Sequence, residues 1–531
     1  GTVKNAMNPD QLYYDLKIGN LSTSAPTIYK LVPRNTIPSN ISIPAKFSIN
    51  GLAKGSTKVF DTNLNIKTSD GNAKIDALVN MLVKNRETYD VKADLQNLNI
   101  GKIIKNKDLG IITGRINAKG QSFDFKNGSA NISGLISAVD YNGYRYRNMN
   151  LQGKLNRGAY AVNLDSRDPN ANLKIAASGV YNEKNPTVKL NGDIRYLDLQ
   201  KLGFYADPMI LNGKMDGEFT NLNPDFLNGH LTLENFSISD GKEIFPVQQL
   251  YLKAVSTAES NSLVLNSQVA DLEMNGKYRL TQIFGALQNT VNSYYRFQNT
   301  PAKRITPGQH FTFNATVKDD DLIRKFVPEL KEFETITLNG NYDADAQTLN
   351  VDGDIPRVTY GANLLENGKL KVYTENGALK YSVNADKLST EKMALNKIAI
   401  VGDVANNLIN YNISTRDDKD VEQFLVAGNA RTANGTNIIS LNPEGLKLNY
   451  MNWQVAPDNQ LQFGPRGIYA QNFVLSNNGS QIAINSESTA PNSPLNIDFK
   501  DFQIETITEM VKKDSLLAKG TINGNVRLRD I

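Results

Sequence analysis

Apolar and polar residues alternate along most of this chain, the period of a β-strand with one covered and one solvated face. Val188, Leu190, Ile194 and Tyr196 alternate with Lys189, Asn191, Asp193 and Arg195, with Gly192 between them. Phe311, Phe313, Ala315 and Val317 alternate with Thr312, Asn314 and Thr316. Asp70-Gly71, Asn127-Gly128, Asn142-Gly143, Asp240-Gly241, Asn367-Gly368, Asn376-Gly377 and Asn434-Gly435 are dipeptides that accept the positive φ angles of tight hairpin turns. The pattern predicts an all-β chain of antiparallel hairpins, each strand with one polar face.

A longer pattern overlies the alternation. Five strands open on apolar-x-Gly-x-x-x-(Gly or Ala): Ile49-Asn50-Gly51 with Gly55, Ile112-Thr113-Gly114 with Ala118, Leu211-Asn212-Gly213 with Gly217, Leu338-Asn339-Gly340 with Ala344, and Ala518-Lys519-Gly520 with Gly524. A short apolar segment of helical spacing precedes each: Ile28, Leu31 and Val32; Ile100, Ile103 and Ile104; Leu197, Leu199 and Leu202; Leu322, Ile323 and Phe326; Ile504, Ile507 and Val511. The unequal intervals exclude a solenoid of fixed short period and fit units that add different numbers of hairpins.

One segment, 281–298, breaks the strand pattern. Ile283, Phe284, Leu287, Val291 and Tyr294 form an apolar stripe at helical spacing. Asn299-Thr300-Pro301 and Thr306-Pro307-Gly308 then end it, dividing the chain into 1–298 and 299–531. The helix reads either as packed over the open end of a sheet or as a gate in a groove.

Composition narrows the chemistry. Of 531 residues 40% are hydrophobic and 21% charged, as in a folded chain. Lys and Arg number 58 against 54 Asp and Glu, with no basic block, so nucleic acid is not expected as a partner. There is no cysteine, and no apolar run approaches the ~18–20 residues of a membrane-crossing helix. No signal peptide opens the chain, and Gly1-Thr2 reads as the scar of a trimmed segment. His230 and His310 stand far apart without metal-ligand companions, and no nucleophile elbow, phosphate loop or dinucleotide fingerprint is present. The acidic clusters at Asp319-Asp320-Asp321, Asp343-x-Asp345 and Asp417-Asp418 with Asp420 lack the spacing of a calcium loop. The expectation is a non-enzyme without a cofactor.

A one-sided sheet of this length must cover its apolar face, since large exposed patches are rare on soluble monomers. It could close into barrels or sandwiches, pack as a solid β-helix, or curl lengthwise into a trough. A trough would suit acyl chains, each buried methylene contributing ~0.8 kcal/mol. Periodicity leaves these outcomes open.

Tyr141-Asn-Gly-Tyr144-Arg-Tyr-Arg-Asn-Met-Asn-Leu151-Gln-Gly153-Lys-Leu155-Asn-Arg-Gly158 resembles the TamB family of translocation and assembly module proteins, within the AsmA-like group and in the style of its Bacteroidota members. So do Ser166-Arg-Asp168-Pro169-Asn170, Leu197-Asp-Leu-Gln-Lys-Leu202 with Leu211-Asn-Gly213, and the segment from Asn289 to Phe297. The resemblance is best between residues 90 and 390; before and after, it is one of repeat style.

What the resemblance implies is an elongated, mostly antiparallel β-sheet curled lengthwise into a U-shaped, taco-like hydrophobic trough, with short helices at repeat junctions. It implies a periplasmic protein spanning from inner to outer membrane, with its inner-membrane anchor outside this sequence. It further implies an Omp85-type outer-membrane barrel partner and passage of phospholipid or another acyl-chain lipid. Lining positions would be Leu164, Ile175, Leu190, Ile194, Leu233, Phe313, Val317, Leu349, Val351, Leu370, Val372, Leu448, Ile484, Ile497 and Phe499. The alternative is a scaffold or chaperone that offers sheet edges to outer-membrane strands during assembly and secretion. An adhesin built on exposed aromatic platforms gains little support from a chain whose one tryptophan is Trp453.

Overall fold

A computed structural model describes residues 1–6, 8, 11–31, 39–296, 301–391, 394–465, 467–504, 506 and 519–529. The chain is all-β, its strands antiparallel and nearly all paired with their neighbours in sequence. It divides into two compact units, Gly1–Ala254 and Val255–Ile531. The division falls before the 281–298 segment, so residues 299–310 lie inside the second unit.

In the first unit β1 (Thr2–Lys4) pairs with β2 (Tyr13–Ser24), which runs into α1 (Ala25–Leu31). β3 (Lys46–Gly55), β4 (Val59–Thr68), β5 (Gly71–Asn80) and β6 (Thr88–Asn99) form a meander ending at α2 (Ile100–Ile104). A longer meander follows: β7 (Leu109–Gln121), β8 (Ser129–Tyr141), β9 (Tyr144–Asn156), β10 (Ala159–Asp168), β11 (Ala171–Val180) and β12 (Val188–Asp198). β13 (Ile210–Asn221), β14 (Asn228–Ser239) and β15 (Ile244–Ser256) bring the chain to the boundary. The openings at Gly51, Gly114 and Gly213 lie on β3, β7 and β13, so each repeat inserts whole hairpins and the unequal spacing follows.

The second unit begins with β16 (Asn261–Ser267), β17 (Ala270–Lys277), α3 (Ile283–Tyr294), β18 (His310–Val317) and α4 (Asp321–Phe326). β19 (Leu330–Phe333) and β20 (Ile336–Asp343) pair in line along β21 (Thr348–Tyr360). β22 (Asn363–Glu375), β23 (Ala378–Ser389), β24 (Ala394–Ala405), β25 (Leu408–Arg416), β26 (Glu422–Ala433) and β27 (Thr436–Leu448) continue the meander. At β27 the sheet forks around Pro443, which has no amide hydrogen for a ladder. Its first part pairs with β29 (Gln460–Gly464), which leads to β30 (Gly467–Gln471), and its last part pairs with β28 (Met451–Val455). β28 continues through β31 (Phe473–Asn477), β32 (Ser480–Ser486), β33 (Leu495–Gln503) and β34 (Thr521–Leu528). In the fork the buried Asn459 stands in for a strand: its Oδ1 accepts from the Leu441 amide (2.8 Å) and its Nδ2 donates to the Leu441 carbonyl (2.7 Å).

The repeat openings on β3, β7 and β13 turn out to be bulges. Ile18 faces Gly51 while Leu21 faces Ile49; Leu95 faces Gly114 while Leu98 faces Ile112; Ile194 faces Gly213 while Leu197 faces Leu211. Two residues thus oppose one, and the extra residue returns Leu21, Leu98 and Leu197 to the face their strand began on. Gly51 and Gly213 have φ of +134° and +135°, and a Cβ on Gly51 would lie 2.0 Å from the Asn63 carbonyl oxygen of the next strand. The polar residue before the glycine closes the bulge: the Asn97 amide donates to Thr113 Oγ1 (3.0 Å), and Asn212 Nδ2 donates to the Arg195 carbonyl.

This geometry corrects two readings. The fifth opening is Ile522-Asn523-Gly524, not Ala518-Lys519-Gly520: Phe499 faces Gly524, Phe502 faces Ile522, and the Asp501 amide donates to Asn523 Oδ1 (2.7 Å). Asn367-Gly368 is no hairpin turn but lies inside β22, its asparagine at φ +53° and bonded to Asp386, with the register to both neighbouring strands unchanged across it. The fourth opening has no register shift, since Phe313 faces Gly340 directly and the break between β19 and β20 takes its place. Val32, Phe297, Ile507, Val511 and Ala518 lie outside the described residues.

Candidate functional site: the apolar face

Directly opposed residues on neighbouring strands project to the same face, so the registers define rows across each unit. One row crosses β2 to β15 in the first unit: Ile18, Gly51, Leu64, Ile75, Ala93, Ile116, Gly134, Leu151, Leu164, Ile175, Gly192, Met215, Leu233 and Leu250. Every position is apolar or glycine. None of its side chains is fully buried, so no second layer packs on the middle of this face. The row beside it, which includes Val91, Ala118, Val162, Ala177, Leu190 and Leu231, is interrupted by a polar residue only at Thr62.

Burial deepens toward the bulges. Ala73, Leu95, Leu173 and Ile194 are buried there, and Ile100 and Ile103 of α2 pack onto Leu98 and Ile112. The opposite face carries Lys17, Asn63, Asp76, Lys92, Gln152, Asn163, Asn191 and Asp216, all exposed. Opposed charges on it pair across strands, as in Asp90–Lys119 (2.8 Å) and Lys189–Glu218 (3.1 Å). The bond from Lys119 holds the Asp90 carboxyl below the usual carboxylate range. One face is therefore built for water and the other is not.

The second unit repeats the arrangement. Leu263, Met274, Phe313, Gly340, Val351, Val372, Tyr381, Gly402, Tyr411, Gly428 and Leu441 form one row. Leu265, Leu272, Ala315, Leu338, Gly353, Leu370, Val383, Ile400, Ile413, Val426 and Leu446 form the next. Two tyrosines lie over glycines: a Cβ on Gly402 would meet the Tyr381 hydroxyl at 2.6 Å, and one on Gly428 the Tyr411 hydroxyl at 2.8 Å. These Tyr–Gly pairs belong to the face, and simple alternation does not single them out because only the register opposes them.

The expected lining residues separate into three groups. Leu164, Ile175, Leu190 and Leu233 in the first unit, and Phe313, Val351, Leu370 and Val372 in the second, lie half-buried in the rows just described. Val317, opposite Ala270 and Ile336, and Leu349, opposite Tyr342, flank them, while Ile194 is buried in the bulge layer. Leu448, Ile484, Ile497 and Phe499 pack against a closed core of Leu446, Trp453, Val455, Ile482 and Phe502.

α3 spans Ile283–Tyr294, shorter than 281–298, with 297–298 outside the described residues. Ile283 and Leu287 pack on Met274, Tyr278, Ala286, Phe311 and Tyr342. Val291 is half-buried and Tyr294 buried, whereas Phe284 is 90% exposed and off the stripe. Burial pushes the Tyr278 hydroxyl up to about 12. Buried Thr290 and Tyr342 share a 3.0 Å hydrogen bond. At the helix end Tyr294 Oη donates to the Gln347 carbonyl (2.6 Å) and to Thr374 Oγ1 (3.3 Å), and the Tyr294 carbonyl accepts from the Asn407 amide (2.9 Å). Tyr295 Oη meets Thr432 Oγ1 at 2.7 Å. The helix is thus tied to the hairpin tips between β20 and β21, β22 and β23, and β24 and β25, and to β26.

The Ser166-Arg-Asp168-Pro169-Asn170 motif is a folding device. Asp168 has no exposed surface and accepts from Tyr144 Oη (2.7 Å), the Arg147 amide (2.8 Å) and the Asn170 amide (2.8 Å). Among the described residues no cluster of three or more His, Asp or Glu could hold a metal ion, and no helix is long and apolar enough to cross a membrane. His230 sits half-buried on β14 between Glu218 and Lys253 of its neighbours, and His310 opens β18 at an exposed position. Comparison with protein-family models, curated proteins and solved structures finds no match to this chain.

Proposed function

We propose that the apolar rows hold the acyl chains of phospholipid, and that the chain is part of a bridge-like lipid carrier between inner and outer membrane. The observation that carries this reading is the row from Ile18 to Leu250, apolar or glycine at every strand, none of whose apolar side chains is fully buried. Such a surface is costly in water at ~25 cal/mol per Å² of exposed apolar area, and a hydrocarbon chain laid along it relieves that cost. The rows contain few groups that would fix a ligand in one place, as passage along them requires. In this reading the protein works in the periplasm, is anchored to the inner membrane by a segment outside this sequence, and meets an Omp85-type barrel at the outer membrane.

The test is mass spectrometry of lipids retained by the purified protein, together with photocrosslinkers placed at Leu164 and Ile175 and, on the other face, at Asn163 and Asn191. Lipid adducts from the first pair only are the expected result. Polypeptide adducts from strand edges with no retained lipid would instead support the scaffold reading.

A further inference from the structure

Three loops on one rim of the first unit are longer than their hairpins need. Residues 81–87, 122–128 and 181–187 each span seven positions, whereas the turn between β9 and β10 on the same rim uses only Arg157 and Gly158. Backbone bonds join them in file. The Ser122 amide donates to the Glu87 carbonyl (2.7 Å), the Arg157 amide to the Gly128 carbonyl (2.7 Å) and the Tyr181 amide to the Gly158 carbonyl (2.8 Å).

The added residues present apolar side chains to water. Leu82, Val83 and Phe123 are 62%, 55% and 64% exposed, and Phe125 and Tyr181 are exposed beside them. The rings are held in place: Phe123 stacks on Tyr89 with ring centres 5.1 Å apart, and Phe125 meets Tyr181 edge-on at 5.4 Å. A fixed, exposed apolar cluster marks an interaction surface.

The charges around it identify the partner. These loops and the turn hold five basic residues against three acidic ones. Each acid is engaged within the rim: Glu183 by Lys126 Nζ (2.7 Å), Glu87 by the Asn85 amide (3.0 Å) and Asp124 by the Lys126 amide (2.9 Å). Lys84, Arg86, Arg157 and Lys184 are exposed, and their side chains have no partner among the described residues. Free cations set among aliphatic and aromatic side chains match an anionic bilayer surface, where apolar groups enter the interface and cations meet phosphate. Leu82 and Val83 offer no flat face to a nucleic-acid base, and a second copy of this rim would bring like charges together.

We propose that this rim docks on an anionic lipid bilayer, with Leu82, Val83 and Phe123 entering between headgroups and Lys84, Arg86, Arg157 and Lys184 facing lipid phosphate. The surface is separate from the apolar rows, and the proposal does not rest on their holding lipid.

The chain has no cysteine, so Leu82→Cys carries a single environment-sensitive fluorophore. Its emission should shift to the blue on vesicles of mixed phosphatidylglycerol and phosphatidylcholine. Binding should be at least about tenfold weaker to phosphatidylcholine alone, and again in about 1 M salt, where the Debye length is about 3 Å. The same label in Asn63→Cys, on the outer face, should not shift. Glutamine at Lys84, Arg86, Arg157 and Lys184 together should weaken binding by a similar factor. Ile175→Glu, in the rows, should leave it unchanged, which separates this test from that of the lipid carrier. No shift at millimolar lipid, equal binding to the two vesicle types, or unchanged binding by the glutamine variant would overturn the proposal. So would a shift without vesicles that grows with protein concentration, since that assigns the rim to a second copy.

Discussion

The Tyr294 hydroxyl donates a 2.6 Å hydrogen bond to the carbonyl of Gln347, while the Tyr294 carbonyl receives the Asn407 amide at 2.9 Å. Gln347 and Asn407 belong to hairpin tips four strand spacings apart, ~19 Å along a flat sheet. One residue spans them, so this rim of the second unit is drawn in around the end of α3. Tyr294→Phe removes the hydroxyl arm and leaves the ring, at a cost of about 1 kcal/mol. Faster hydrogen exchange in α3, with unchanged exchange in the core at Trp453, is the expected outcome.

Asp168 is expected to be the most sensitive polar position in the first unit. Asp168→Ala strands the Tyr144 hydroxyl and two backbone amides in a buried site and should cost roughly 2–4 kcal/mol. Tyr144→Phe removes the hydroxyl's bonds to Asp168 and from Asn170 Nδ2 but leaves Asp168 its two backbone amides, and should cost about 1–2 kcal/mol. Proteolytic susceptibility of β9 to β11 across a denaturant series measures both, and equal small effects would show that the motif is not structural.

Tyr278 makes the second unit sensitive to alkali. Its folded pKa, about 12, lies above the ordinary 10.0, so the folded form keeps its proton where the unfolded chain loses it. The stabilisation is complete below pH 10 and falls as pH rises from about 10 to about 12. Tyr278→Phe should flatten that fall, read as the unfolding midpoint of α3 and β17 followed through this range.

Gly51→Ala should be among the most damaging single-methyl changes. It places a Cβ 2.0 Å from a backbone oxygen at a φ that L-residues rarely adopt, whereas Gly143 lies in a turn with nothing within 4 Å of its Cβ position. A loss of several kcal/mol is expected for Gly51→Ala, and about 1 kcal/mol for Gly143→Ala, where only the positive φ of 81° is strained. Thermal midpoints of the two variants give the comparison.

Charge placed in the rows should stop lipid retention without unfolding the sheet. Val351→Glu and Val317→Glu enter the apolar face, while Asn384→Glu adds the same charge beside Lys369 on the outer face. Retained lipid should fall at least about tenfold in the first two and stay unchanged in the third. Equal retention in all three folded variants would sink the lipid reading.

Strands, their polar and apolar faces, and most turns were legible because the two-residue period is a local property of sequence. The bulges were half legible. The apolar-x-Gly signal found Gly51, Gly114 and Gly213, but it chose Gly520 over Gly524 because the deciding contact, Asn523 on Asp501, lies across strands. Asn367-Gly368 misled for a related reason, since the positive φ of Asn367 is held inside a strand by its bond to Asp386 on the neighbouring strand. Phe284 carried the right residue type in a helix but falls beside the stripe, which only the docked helix reveals.

The sequence by itself determined that this is an antiparallel all-β protein with one apolar face, since alternation places every second side chain on the same side whatever the strand meets. Only the tertiary structure decided which parts of that face are closed. Leu164 and Ile497 read alike along the chain, yet one lies in a half-covered row and the other against the Trp453 core. Burial depends on what is brought opposite a residue from far along the chain, and no local period encodes that.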